Sequence, residues 1–185
     1  MTDTIVFTFG RFQPPGLNHE KLVVKVLEQA RANRADHMVY LSHSHNTTTD
    51  PLEWAFKSRA CQAAFPGVKF CTEEAIKTPF HALESLALGY KNVIFVVGQD
   101  RLNEFTERMT PYAEQWGLEN FKIVSAGARN PKASGITGMS GSKMRQYVAE
   151  GNKESFYNGL PQRLTASMKE QVFLNTQKGL KKTNI

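Results

Sequence analysis

The chain is short of the features that mark specialised protein classes. It has only two cysteines, Cys61 and Cys71, and no CxxC spacing, which argues against a disulfide framework or a zinc knuckle and reads as two reduced, semi-buried thiols. No apolar run approaches the roughly 18 residues of a membrane span. Met1-Thr2-Asp3-Thr4 lacks the basic n-region of a signal peptide, so the expected compartment is the cytoplasm. There is no internal repeat and no low-complexity segment. Basic residues interleaved with exposed aromatics are also missing, which places a nucleic-acid-binding module last among the readings.

What remains is an ordinary globular composition, 41% hydrophobic and 22% charged over 185 residues, enough for one domain over residues 1–185 with its own core. The formal charge of +6 is inflated by Lys178, Lys181 and Lys182 near the C-terminal end. It suits an anionic ligand and proves none.

Short apolar runs alternate with helical periodicities. Ile5–Phe9 predicts a strand buried on both faces. Leu22, Val23, Val26, Leu27 and Ala30 then share one face of a helix with Asn18 as its predicted N-cap. Met38–Leu41 predicts a second strand, and Asp50-Pro51 the start of a helix with Leu52, Ala55, Phe56 and Ala63 at helical spacing. Val68–Phe70 reads as a weaker strand. Pro79 opens a helix carrying Phe80, Leu83 and Ala87. Val93–Val97 is the clearest buried strand. It is followed by a helix with Leu102, Phe105, Met109 and Tyr112 inward, and Phe121–Val124 is the last strand. From about Ser140 the pattern is helical, with a final helix over 162–177 that turns Leu164, Met168, Val172 and Gln171 inward, and a frayed tail from Gly179. The expected fold is α/β: a Rossmann-like parallel sheet with helices on both faces and a helical C-terminal portion over about 140–178.

In such sheets ligands sit beyond the carboxyl ends of the strands. The clusters Gly10–His19, Ser42–Asn46, Gly98–Arg101 and Ser125–Arg129 all follow strands, so they are expected to converge. The first of them, Gly10-Arg11-Phe12-Gln13-Pro14-Pro15-Gly16-Leu17-Asn18-His19, reads as a phosphate site, a Gly/Pro turn running into a helix whose first amides face an anion. A second such segment is Gly138-Met139-Ser140-Gly141-Ser142-Lys143-Met144-Arg145, where Ser140 is an N-cap and hydroxyls, amides and cations share the first turns. It is not a P-loop, because Ser142 stands where GxxxxGK[ST] requires glycine. Asp100 and Arg101 read either as a local ion pair or as ligand contacts. His43 and His45 share one side of an extended chain. With no third ligand at useful spacing they read as lining an acceptor pocket or simply facing water, rather than as a metal pair. His37 and His81 have no identifiable partner. Trp54 is open between core and base stacking, and Trp116 is expected against the sheet.

Together these segments resemble the HxGH/ISxTxxR nucleotidylyltransferase superfamily, which includes adenylyl- and cytidylyltransferases. Gly10-Arg11-Phe12-Gln13-Pro14 looks like its GxFxP opening, His19 falls on the second His of HxGH, and Met139-Ser140-Gly141-Ser142-Lys143-Met144-Arg145 resembles ISxTxxR with Ser for Thr. The similarity is closest to a phage-encoded, cytidylyltransferase-like group. Asp50-Pro51-Leu52 with Lys57, Val96–Arg101 with Glu104-Phe105, Ala126–Pro131 and Gly159-Leu160-Pro161 carry that closer match. GRFQP openings also occur in nicotinamide-mononucleotide adenylyltransferases.

The resemblance implies transfer of a nucleoside monophosphate from ATP or CTP to a phosphorylated acceptor, with loss of pyrophosphate. It implies His19 on the α- or β-phosphate, Ser140, Ser142 and Arg145 at the β/γ end, and Arg11 or Lys143 as supplementary charge. Gly10, Phe12, Gln13, Gly16, Asn18, Gly98, Asp100, Arg101, Arg129 and Met139 complete the nucleotide set, while Ser42, His43, His45 and Lys57 form the acceptor set. Mg²⁺ is expected to bridge the phosphates with few or no direct protein ligands. The partners implied are the two small molecules and a possible second copy of the chain, in a host cytoplasm if phage-encoded. Two positions depart from the pattern: Gly16 stands where the family has His or Thr, and Asn18 where it has Gly. A nucleotide-binding protein of the same fold with impaired catalysis therefore stays open as the alternative.

Overall fold

The structure is a computed structural model that describes residues 2–128 and 139–181. The chain divides into two compact units, Met1–Gly10, Lys21–Tyr40 and Val68–Arg129 in the first, and Arg11–Glu20, Leu41–Gly67 and Asn130–Ile185 in the second.

The first unit is built on a four-stranded parallel sheet in the order β2-β1-β3-β4, with β1 Thr4–Gly10, β2 Asp36–Leu41, β3 Asn92–Val97 and β4 Asn120–Ser125. β1 pairs with β3 from Thr4 opposite Asn92 to Phe7 opposite Phe95, and β3 pairs with β4 from Asn92 opposite Asn120 to Val97 opposite Ser125. The central strands are buried on both faces, as their unbroken apolar runs require. Ile5, Phe7, Val93, Phe95 and Val97 meet Ala82, Leu83 and Leu86 of α3 (Pro79–Ala87) and Met109 and Ala113 of α4 (Leu102–Gln115) on one side. Val6, Ile94 and Val96 meet Val26 and Ala30 of α1 (Leu17–Ala32) on the other. Register places Phe7 directly beside Phe95, and their rings stack 4.3 Å apart. Trp116 packs against the α3/α4 side, as expected.

Several local expectations are corrected. α1 begins at Leu17, one residue before its predicted cap, because Asn18 is already in the first turn. Val68–Phe70 forms a single parallel bridge, Val39 to Phe70, rather than a strand. That bridge is held by Val39 N–H to Lys69 O at 2.9 Å and Cys71 N–H to Val39 O at 2.8 Å. Tyr112 is 43% exposed, its ring against Phe80 and Trp116 instead of the sheet. Arg101 pairs with Glu104 at 2.8 Å and lies over the Phe105 ring, so the local ion pair skips Asp100.

The second unit holds α2 (Trp54–Ala64), α5 (Gly141–Ala149), α6 (Lys153–Asn158) and α7 (Ala166–Lys181). Ser140 caps α5 as predicted, its Oγ accepting from the Lys143 N–H at 3.2 Å. α2 starts at Trp54 rather than Pro51, because the Asp50 carboxylate is committed to Arg11, Asn46 and Thr49 and cannot cap a helix. Its buried face is also different: Lys57, Ser58, Ala60, Cys61 and Ala64 point inward while Ala55 and Ala63 are exposed. α7 starts where Thr165 Oγ1 accepts from Met168 N–H, and it buries Val172 and Phe173 with Gln171 outside. It continues through Gly179, which is pressed against Pro51 and so is not part of a frayed tail. Cys61 and Cys71 are both buried and unbridged. Among the described residues no helix is long and apolar enough to cross a membrane.

Candidate functional site

The second unit brings the two phosphate-type segments together. The loop after β1 is clamped from three directions. Lys57 Nζ donates to the Arg11 carbonyl at 2.7 Å and to Ser42 O and Oγ at 2.8 and 3.1 Å. Gln13, almost fully buried, donates from Nε2 to Leu52 O and accepts at Oε1 from Leu52 N–H, both at 2.9 Å. The Arg11 guanidinium forks onto both Asp50 oxygens at 3.1 Å and onto Thr49 O at 2.9 Å. Burial would raise the Asp50 carboxyl, but hydrogen bonds from Thr49, Arg11 and Asn46, with the Arg11 charge, outweigh it and hold the carboxyl below its ordinary value. Lys57 shows the reverse balance: loss of water around its ammonium lowers it to about 8 despite the opposing pull of Cys61 and Asp50.

Phe12 is fully buried in a left-handed conformation, φ +49°, which a bulky residue adopts only when its surroundings impose it. Its ring lies under the His19 imidazole, centroids 4.2 Å apart, with Phe65 edge-on behind it. His19 is therefore seated on an aromatic floor. The Gly16 N–H donates to His19 Nδ1 at 3.0 Å, the reciprocal half of a capping box with imidazole in place of Glu or Gln. This leaves Nε2 as the protonated nitrogen of the neutral ring. The first-turn amides are less available than the sequence implies. Leu17 N–H donates to Gly159 O and His19 N–H to Gly16 O, each at 2.9 Å.

From α5, Arg145 crosses to this loop. Its Nη1 donates to Gln13 O at 2.9 Å and its Nη2 to Ser142 Oγ at 3.3 Å. Gly141 makes the crossing possible, since a Cβ there would lie 2.8 Å from Nη1. Burial, and then the like charge of Arg11, lower the Arg145 guanidinium from its ordinary value, with Asp50 opposing. Arg11 and Arg145 thus form one cationic patch beside Ser140, Ser142 and Lys143. Met139 and Met144 flank Gly159, where a Cβ would run into the Met144 sulfur, so the carbonyl that holds Leu17 is itself fixed by close packing.

The predicted acceptor set separates. Ser42 and Lys57 are buried and bonded to each other. His43 stacks on Trp54 at 4.7 Å. His45 is exposed and lines a small pocket, partly open to solvent, with Phe56, Leu52 and Lys178. Gly98, Asp100 and Arg101 belong to the first unit, where the absent side chain of Gly98 accommodates the Asp100 carboxylate. Arg129 lies outside the described residues, as does Gly138. Among the described residues no group of three or more His, Cys, Asp or Glu is arranged to hold a metal ion.

The sequence reading missed Asp50 as the anchor of Arg11, Gly141 as the gap for Arg145, and Gly159 as the acceptor for Leu17. Asp50 had a signal in the Asp50-Pro51-Leu52 match. Both glycines also lie in matched segments, Met139–Arg145 and Gly159-Leu160-Pro161, but their role was not legible there, because it is to be absent side chains beside partners distant in sequence.

The class defined by this architecture is a Rossmann-like α/β fold, a parallel sheet with helices on both faces. Among solved structures, the chain is similar to a bifunctional NMN adenylyltransferase/ADP ribose pyrophosphatase from Francisella tularensis, with a TM-score of 0.62 and 12% identity over 100% of this chain and 54% of that one. It is also similar to TmcAL from Thermotoga maritima bound with alpha-thio ATP, with a TM-score of 0.46 and 9% identity over 94% of this chain and 55% of that one. The chain spans about half the length of each. At such identities the likeness concerns the fold alone. Neither a family profile nor a curated protein sequence matches the chain.

Proposed function

We propose that the protein is a nucleotidylyltransferase that moves a nucleoside monophosphate from ATP or CTP to a phosphorylated acceptor, nicotinamide mononucleotide being the first candidate. The observation that carries this reading is the bond from Arg145 to the Gln13 carbonyl, which joins the HxGH-like and ISxTxxR-like segments across 132 residues of chain. An acceptor phosphate oxygen attacks the α-phosphorus, the bond to the β-phosphate oxygen breaks, and pyrophosphate leaves without a covalent enzyme intermediate. Such a reaction asks the protein for positioning and for positive charge on phosphate oxygens. His19 donates from Nε2 to the α- or β-phosphate. Ser140, Ser142 and Arg145 serve the β/γ end, and Arg11 and Lys143 add charge. Arg145 has five N–H groups, and its bonds to Gln13 and Ser142 leave others for a ligand. Asp50 is spoken for by Arg11, so a magnesium ion would arrive on phosphate oxygens and waters, supplying charge neutralisation there.

The test is pyrophosphate release when ATP or CTP is mixed with a panel of phosphorylated acceptors. Release that His19→Ala abolishes supports the reading. No release with any pair, and no rise in melting temperature with either triphosphate at millimolar concentration, overturns it. A second reading, nucleotide binding without turnover, is favoured by Gly16, which offers no side-chain donor, and by the Leu17 amide being bonded to Gly159. It predicts thermal stabilisation by triphosphate with no pyrophosphate.

A further inference from the structure

Within the second unit, the last turns of α7 lie against the segment that leads into α2. Gly179 makes this approach possible, since a Cβ there would run into the Pro51 carbonyl. Beside that contact the two elements enclose the small pocket that His45 lines, with Pro51, Leu52 and Phe56 as its apolar surface. The polar groups on its wall divide by sign. Glu53 contributes a carboxylate from the N-cap position of α2, where its side chain makes no capping hydrogen bond. Asn175 donates from Nδ2 to Gln171 O at 2.8 Å, which leaves Oδ1 as an acceptor. Lys178 supplies an ammonium from the same helix. Glu53 and Lys178 line one pocket and yet do not pair with each other; the ion pairs among the described residues are Arg11 with Asp50, and Glu104 with Arg101 and Arg108.

We propose that this pocket binds a free α-amino acid with a small aliphatic side chain. The ligand's ammonium lies against Glu53 and Asn175 Oδ1, its carboxylate against Lys178 with His45 as a second donor, and its side chain against Leu52 and Phe56. Charge selects the ligand. An anion that reaches Lys178 also meets the Glu53 carboxylate, and a cation that reaches Glu53 also meets the Lys178 ammonium. A zwitterion satisfies both at once. Size sets the second limit: the pocket is well below the usual range for drug-sized ligands, so its occupant is a molecule of few heavy atoms that can extend only toward solvent. Arg11, His19 and Arg145 do not line this pocket, so the proposal stands or falls separately from the nucleotidyl-transfer reading.

The experiment titrates the full-length, isotopically labelled chain with glycine, alanine, valine and leucine in the absence of nucleotide, followed by NMR. At least one is expected to shift the Asn175 side-chain amide and the Phe56 ring resonances together, with a single dissociation constant of about 10 mM or tighter. N-acetylation removes the ammonium and amidation the carboxylate. Either analogue of the tightest ligand is expected to bind at least about tenfold more weakly. Glu53→Gln and Lys178→Met, both at exposed positions, are expected to weaken binding by a similar factor while leaving the melting temperature of the ligand-free protein little changed. No saturable shift with any of these amino acids overturns the proposal. Equal binding of either analogue, or equal binding by either variant, overturns it too. Should inorganic phosphate move the same resonances where the amino acids do not, the pocket is an anion site and the proposal is wrong.

Discussion

Arg145 donates to the main-chain oxygen of Gln13 at 2.9 Å, past a helix start that has no side chain at Gly141. The cationic patch is therefore held by backbone, and its geometry depends on an empty position.

Gly141→Ala tests that dependence. The new Cβ would lie 2.8 Å from Nη1 and push the guanidinium off Gln13, while alanine at a first helical position costs the fold little or adds to it, within about 1 kcal/mol. The expected result is an almost unchanged melting curve with tripolyphosphate affinity reduced about tenfold or more. Equal affinity would mean that Arg145 serves the anion from elsewhere.

Gln13→Glu keeps the shape and reverses one bond. A carboxylate oxygen would face Leu52 O, where Nε2 now donates, so a loss of roughly 1–3 kcal/mol is expected at pH 7 from chemical denaturation. The new carboxyl would be buried and would favour its protonated, donating form. The gap to the parent should then narrow as pH falls toward 5.

Lys57→Met removes the donor shared by the Arg11 carbonyl and Ser42. Leaving buried acceptors unpaired should cost about 2–4 kcal/mol. The parent's Lys57 titrates near 8 when folded and near 10.5 when unfolded. Between those values the unfolded chain binds more protons, so the native state gains stability as pH rises. The parent-minus-variant difference in unfolding free energy should accordingly grow from pH 8 to 10.

His37 accepts the Lys69 N–H at Nε2, 3.0 Å away, at the single bridge beside β2. Burial, and then the Lys69 charge, lower its titration below 6.5 despite Asp36. Its contribution is complete above 6.5 and is lost as pH falls through the folded value. Denaturation midpoints should fall between pH 7 and 5 more steeply in the parent than in His37→Gln.

Much of the sheet was legible in the sequence. Ile5–Phe9 and Val93–Val97 are apolar without alternation, which only a doubly covered parallel strand tolerates, and both lie in the centre of the sheet. Ser140 was legible as a cap because capping is local. The face of α2 was not: Lys57 was placed in the acceptor set, and only the fold brings two distant carbonyls and a hydroxyl to its ammonium and turns it inward. Val68–Phe70 was over-read for the same reason, since its length as a strand depends on the partner it meets.

Composition, strand and helix periodicity, the Gly/Pro turn after the first strand and the Gly/Ser-rich helix start at Ser140 are properties of neighbouring residues, and the chain alone determined them: an α/β fold with a turn and a cap at those places. The tertiary structure decided that Asp50 anchors Arg11, that Arg145 grips Gln13, that His19 keeps its proton on Nε2, and that Asn18 rests in the space Gly16 leaves open. These are hydrogen-bond and exclusion relationships, most of them between groups far apart in sequence. No local pattern encodes them, because each is created only when packing removes water and brings the partners within reach.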